Sequence, residues 1–209
     1  MIISTIMRDP KPGRMAEAVS EGQELAQAAR DGGALSAWNE VVGTGPNWGR
    51  LFTHFSYENS AHFDIVKAAT ERSNAFKAGQ LSTDPPAIVA GIVRRRVLHN
   101  NRPENLDPAI ISFKQVAIGE VEPTRISEMA TKWATLTDWA IENGAIAGRV
   151  SRPFSGITRT LLIGEWAYKD GAGEDLMWEK LASDNPEPDL FGPGNMKLVG
   201  FFHHTPIRS

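Results

Sequence analysis

The amino-acid sequence predicts an α+β protein built from two βαββαβ units, each forming an antiparallel four-stranded sheet, with the two sheets packed face to face inside one chain. Three observations lead there. The hydrophobic pattern alternates between strand and helix periods in the same order twice along 209 residues. Identities recur at a single spacing of 111 positions, pairing Gly33-Ala34 with Gly144-Ala145, Tyr57 with Tyr168 and Asp64 with Asp175. The strands also carry apolar residues on both faces: Leu51, Phe55 and Tyr57 alternate with Phe52. A sheet covered by helices on one face therefore needs a second cover on the other.

Taken in order, the first unit spans residues 1–98. IISTIM is a strand, and Arg14 to Arg30 places Met15, Ala18, Val19, Gly22, Leu25, Ala26 and Ala29 at helical spacing. Gly32-Gly33 stops that helix, because glycine enters the left-handed region without a Cβ clash. ALSAWNEVV and RLFTHFSY form a hairpin across GTGPNWG, whose glycines and proline suit a turn. Asn59 or Ser60 caps the next helix, with His62, Ile65, Val66, Ala69 and Phe76 as its stripe. After the DPPA break, AIVAGIVRRRV is the fourth strand. HNNRPENLDP, residues 99–108, is polar and rich in turn formers and serves as the linker.

The second unit, residues 109–209, repeats the order. AIISFKQVAIGEV is its first strand, and its AIISF resembles MIIST with Ile110 matching Ile2. A helix from Thr124 to Asn143 ends at Gly144. AIAGRVSRPF, TRTLLIGEWAYK, a helix from about Gly173 to Ser183 and KLVGFFHHTPI complete the unit.

Composition narrows the function. The formal charge is -3 with 22 basic and 25 acidic residues well mixed, so no basic field is available for a nucleic-acid backbone. The absence of cysteine excludes disulfides, thiolate nucleophiles and Cys-based metal sites, and fits a reducing compartment. The N-terminal MIISTIMRDPKPG lacks a basic leader, and no apolar run reaches the roughly 18 residues of a membrane span. These features predict a soluble, cytoplasmic chain with a small-molecule ligand and room for a homodimer, and without nucleic acid, membrane or cofactor.

His54 lies mid-strand with the parity of Phe52 and Ser56, and Glu165 stands 111 positions later. Facing a pocket, the imidazole would transfer a proton near neutral pH, and the carboxylate would do so if burial raised its pKa. Facing the core, both would only satisfy hydrogen bonds or pair with arginines. His62 opens a helix on its apolar stripe, where it either binds a ligand as the neutral imidazole or braces the helix end. Its counterpart is Gly173, so the two units differ in chemistry, and a functional pocket in the first unit is preferred.

His203 and His204 are adjacent in a strand, point to opposite faces and cannot grip one metal together. No HxxxH, HExxH or calcium loop occurs, so no metal is expected. GTGPNWG has the wrong spacing for a dinucleotide loop and leads into a strand. Among Arg94, Arg95 and Arg96 alternation turns one or two inward, and Arg96 is the candidate for holding a substrate carboxylate. Tyr57, Trp38 and Trp48 shape the cavity wall, Trp48 from the hairpin tip. A GxSxG serine turn is absent, which disfavours a hydrolase.

With an aromatic strand end before a helix in both units, HFSYEN and GEWAYKD, the chain resembles the dimeric α+β barrel superfamily. This is the ferredoxin-like group of antibiotic-biosynthesis-type monooxygenases, EthD-like and NIPSNAP-like proteins. The resemblance implies two ferredoxin-like copies fused as an intramolecular α+β barrel, with a pocket between sheet and helices in each half. It implies activities ranging from oxygenase and haem degradation to isomerase and cyclase, or none. The Asn, Trp and His set of a haem-degrading member does not map onto this sequence. The expected function is a small-molecule-binding barrel acting as a cofactor-independent monooxygenase, isomerase or cyclase on a small, largely apolar, anionic molecule. The alternative is a non-catalytic, stress-associated scaffold.

Overall fold

The computed structural model describes residues 1–45, 47–103, 106–155 and 160–207. Its first half comprises β1 (Ile2–Pro10), α1 (Met15–Asp31), β2 (Ser36–Val42), β3 (Leu51–Tyr57), α2 (Ser60–Arg72), α3 (Asn74–Leu81) and β4 (Ala87–Asn101). The second half comprises β5 (Phe113–Val121), α4 (Ile126–Glu142), β6 (Ala147–Ser155), β7 (Leu161–Tyr168), α5 (Gly171–Asp184) and β8 (Met196–Pro206).

All eight strands hydrogen-bond into one closed antiparallel barrel, ordered β1-β3-β2-β8-β5-β7-β6-β4. This corrects the picture of two separate sheets laid face to face. β4 joins β6, with Arg96 opposite Arg152 and Val97 opposite Ser151, and β8 joins β2, with Val42 opposite His204. A four-stranded sheet leaves two rows of unpaired backbone groups, and closure pairs each row with its counterpart from the other half.

The spacing of 111 extends through the strand registers. Ile2 opposes Tyr57 while Phe113 opposes Tyr168, and Ala37 opposes Phe55 while Gly148 opposes Trp166. Ile2 thus corresponds to Phe113, not Ile110. The latter lies in a 3₁₀ turn, Pro108–Ile110, where Asp107 accepts the Ala109 amide at 2.8 Å, and β5 starts three residues later.

Other boundaries move for local reasons. The second helix breaks at Ser73, whose hydroxyl accepts the Phe76 amide and starts α3, and Ile65 is 67% exposed while Val66 alone fills the buried position of α2. β4 continues to Asn101 because His99, Asn100 and Asn101 pair with Val150, Arg149 and Gly148, so the strand enters the stretch read as linker. Pro46 of the hairpin turn, Glu104 and Asn105 of that linker, and Thr158 and Arg159 of the seventh strand lie outside the described residues.

Strand alternation separates two environments. Phe55 and Tyr57 pack with Ile2, Ala26, Ala29 and Val66 beneath α1 and α2, which leaves Phe52, His54 and Ser56 facing the barrel interior. The second half has a larger helix-side core around the fully buried Trp133 of α4, with Met129, Leu162, Trp166, Tyr168 and Met177. Gly164 makes that indole fit, since a Cβ there would come within 2.4 Å of it. Inside the barrel, Val42, Val116, Ile163 and Phe202 form an apolar layer joined by Phe52 and Ile118. Above that layer the interior is charged.

Candidate functional site

Glu40 of β2 is completely buried in this interior, and its two carboxylate oxygens have different neighbours. Oε1 accepts from the Trp38 indole at 2.8 Å and from the Lys114 ammonium of β5. Oε2 lies 3.1 Å from His54 Nε2 and 3.0 Å from His204 Nδ1. The other nitrogen of His54 is 2.8 Å from the Thr5 hydroxyl, and the Trp38 ring stacks on the imidazole at 4.9 Å. Burial tends to raise the Glu40 carboxyl, but Lys114, His54 and His204 outweigh it and hold it well below the usual range. Burial likewise lowers His54 to about 4 despite the opposing pull of Glu40, so its imidazole is neutral at physiological pH.

Across the interior, Glu165 of β7 takes the place that His54 holds in β3. Arg149 of β6 and Arg95 of β4 both bind it, the latter at 2.9 Å. Burial raises this carboxyl too, and Arg149 and Arg95 more than offset that. Arg149 also lies over the Trp38 ring at 5.5 Å and Lys114 over it at 5.1 Å, so Trp38 lies against cations from the other half. Lys114, Arg95 and Arg149 exceed Glu40 and Glu165 by one positive charge, even with the histidines uncharged.

A cavity of about 730 Å³ opens where β2 and β6 begin, with Trp38, Lys114, Arg149 and Glu165 on its inner wall. Ala147, Ala167, Ile111 and Ile207 supply apolar surface, and Arg30 and Arg102 add two further cations. The volume suits a small organic ligand. The cavity is at the barrel end, whereas the resemblance led us to expect one between sheet and helices.

Of the residues singled out in the sequence, Trp38 and Glu165 border this cavity. His54 belongs to the same interior but lies behind Trp38. His62 is elsewhere, on the helix side, bonded to the Gly33 carbonyl at 2.9 Å and facing Tyr57 edge-on. Tyr57 is buried there against Phe63. Trp48 is 77% exposed at the hairpin tip. Arg96 is exposed, and the inward arginine of its run is Arg95. Glu40, Lys114 and Arg149 escaped the sequence reading, although Arg149 stands 111 positions after Trp38 and shares its strand parity, and His204 was weighed there only beside His203.

No family model and no curated protein matches this sequence. Solved structures do. A monooxygenase candidate from Fusobacterium nucleatum subsp. nucleatum aligns over 98% of this chain and 90% of its own, with a TM-score of 0.62 and 9% identity. An anthrone oxidase-like protein aligns over 99% and 91%, with a TM-score of 0.61 and 12% identity. A heme-binding protein from Thermus thermophilus aligns over 99% and 91%, with a TM-score of 0.51 and 13% identity. The likeness is to dimeric α+β barrel proteins, and at these identities it shows the fold alone. Among the described residues no helix is long and apolar enough to cross a membrane.

Proposed function

We propose that this chain binds a small anionic organic molecule in the cavity at the barrel end, Arg149 and Lys114 meeting its charge and Trp38 its ring or chain. The carrying observation is the cationic wall: Lys114, Arg149, Arg30 and Arg102 outnumber Glu165 and Asp107 around an apolar-lined opening, with the buried Arg95 and Glu40 paired behind them. Holding unbalanced charge in a barrel is destabilising without a partner, so an incoming anion gains both attraction and relief. The monooxygenase-like and oxidase-like neighbours favour a ligand site over a purely structural barrel. The matching registers of the two halves further support an origin by fusion of two ferredoxin-like copies, with units at 1–98 and 109–209.

Catalysis of the cofactor-independent kind, removal of a proton next to a carbonyl by an oxygenase, isomerase or cyclase, fits the same site through one route. His54 does not border the cavity, so the transfer runs along a chain: the Lys114 ammonium gives a proton to Glu40, Glu40 gives one to His54 Nε2 in the tautomer whose Nδ1–H donates to Thr5, and the resulting Lys114 amine takes the proton of the substrate. Haem chemistry fits less well. The helix-side space of the second half is filled by Trp133, Trp166 and Tyr168, and His203 on that face already bonds Glu174 at 3.0 Å.

Quenching of tryptophan fluorescence by paired aromatic carboxylates and their neutral amides tests the binding. The carboxylates are expected to bind, Arg149→Met to weaken them at least about tenfold, as loss of a charge-assisted contact does, and Trp38→Phe to remove most of the signal. Equal binding of both series, or of neither, would sink the reading. Once a turned-over ligand is found, an unchanged rate in His54→Gln would leave binding without proton transfer, the scaffold alternative.

A further inference from the structure

We infer that Glu40, His54 and His204 form a site for one divalent transition-metal ion, ligated by Glu40 Oε2, His54 Nε2 and His204 Nδ1. The residues come from β2, β3 and β8, and closure of the barrel brings the third strand to the other two. All three are buried, and their donor atoms lie within 4.8 Å of one another. Oε2 is the shared point, 3.1 Å from one imidazole nitrogen and 3.0 Å from the other. Bonds of about 2.0–2.2 Å to a central ion leave neighbouring donors roughly 3 Å apart, so Oε2 already stands at ligand spacing from each imidazole, and the two imidazole nitrogens, within 4.8 Å of each other, draw together around the ion. Two imidazoles and one carboxylate suit zinc, iron or cobalt, and are a poor set for calcium or magnesium.

The surroundings have the form of an outer ligand shell. When His54 binds through Nε2, its Nδ1–H donates to the Thr5 hydroxyl at 2.8 Å, which fixes the ring and the tautomer. Glu40 keeps Trp38 and Lys114 on Oε1, the oxygen turned away from the ion. Phe52 packs edge-on against both imidazoles, at 6.0 Å and 5.0 Å, and closes the site below. An ion adds charge beside Lys114, and that ammonium has the bordering cavity to turn into. The inference does not depend on ligand binding there. It also differs from proton relay in its consequence, because a relay survives chelation and a metal centre does not.

The test is a Co2+ titration of the chelator-stripped protein, followed by visible absorbance and by metal analysis after desalting. One equivalent is expected, displaced by Zn2+. His204→Gln and Glu40→Gln should lose it, and Thr5→Val should weaken it at least roughly tenfold, the usual effect of removing an outer-shell partner. His203→Gln should bind as the parent does, since His203 faces the opposite side and bonds Glu174. Absence of saturable Co2+ or Zn2+ binding to the folded parent would overturn the proposal, whatever the variants do. So would binding that persists in a folded His204→Gln and disappears in His203→Gln.

Discussion

Positions 38, 40 and 54 in the first half and 149, 151 and 165 in the second occupy matching places in the barrel wall, yet they carry different chemistry. The first set is Trp38, Glu40 and His54, an imidazole held between a carboxylate and a hydroxyl under an aromatic cover. Arg149, Ser151 and Glu165 make up the second, a carboxylate locked by guanidinium groups. One backbone frame therefore holds a neutral imidazole on one side and fixed charge on the other. The helix-side gap repeats the lesson. In the first half the His62 side chain reaches the Gly33 carbonyl, whereas in the second Gly173 and Gly144 bring their backbones together directly. An imidazole bridges what close packing achieves elsewhere.

The largest expected effect comes from Glu165→Ala, which strips Arg95 and Arg149 of their shared partner and should destabilise the protein by about 3–5 kcal/mol in denaturant unfolding. A loss below about 1 kcal/mol would mean that the two arginines rearrange and that the fixed-charge side is not fixed. Acid comes next, and it separates the halves by pH. The unfolded chain protonates His54 near pH 6.5 while the folded one resists until about 4. Stability should therefore fall as pH drops between those values, by up to roughly 3 kcal/mol from this group. His54→Gln should flatten that slope. The lowered carboxyls Glu40 and Glu165 stabilise the fold above about pH 4.5 and lose that contribution only further down.

Smaller effects sharpen the comparison at the helix ends. Gly173→Ala places a Cβ 2.6 Å from the Gly144 carbonyl oxygen, and overpacking of this kind typically destabilises by about 1–3 kcal/mol in thermal melts. His62→Ala loses two hydrogen bonds at a half-exposed helix start, to the Gly33 carbonyl and from the Glu58 amide, and should cost about 1 kcal/mol. If the order of these two were reversed, His62 would be holding more than the helix end.

Much of the architecture was legible because it follows from local periodicity. Helix α1, the β2–β3 hairpin and the stop at Gly33, which has φ +98, needed only spacing and glycine chemistry. Closure was not legible, since the pairing of β4 with β6 and of β8 with β2 depends on edges far apart in sequence. The site was half legible for the same reason. His54 and Glu165 could be matched by parity, and Trp38 by its place in the strand before. Glu40, Lys114 and His204 meet only after three strands from two halves are joined, and no spacing in the chain announces that meeting. His203 and His204 do point to opposite faces, as adjacent strand residues must, but His204 finds Glu40 on β2 and the Phe52 ring on β3 instead of a partner beside itself.

Because every strand is bonded on both sides around the ring, neither half is a self-sufficient piece. Cleavage of the crossing between Asn101 and Phe113 would leave two fragments, each with two open seams that match only the other's. Such fragments should reassemble from separate polypeptides, and either one alone should seek a second copy of itself.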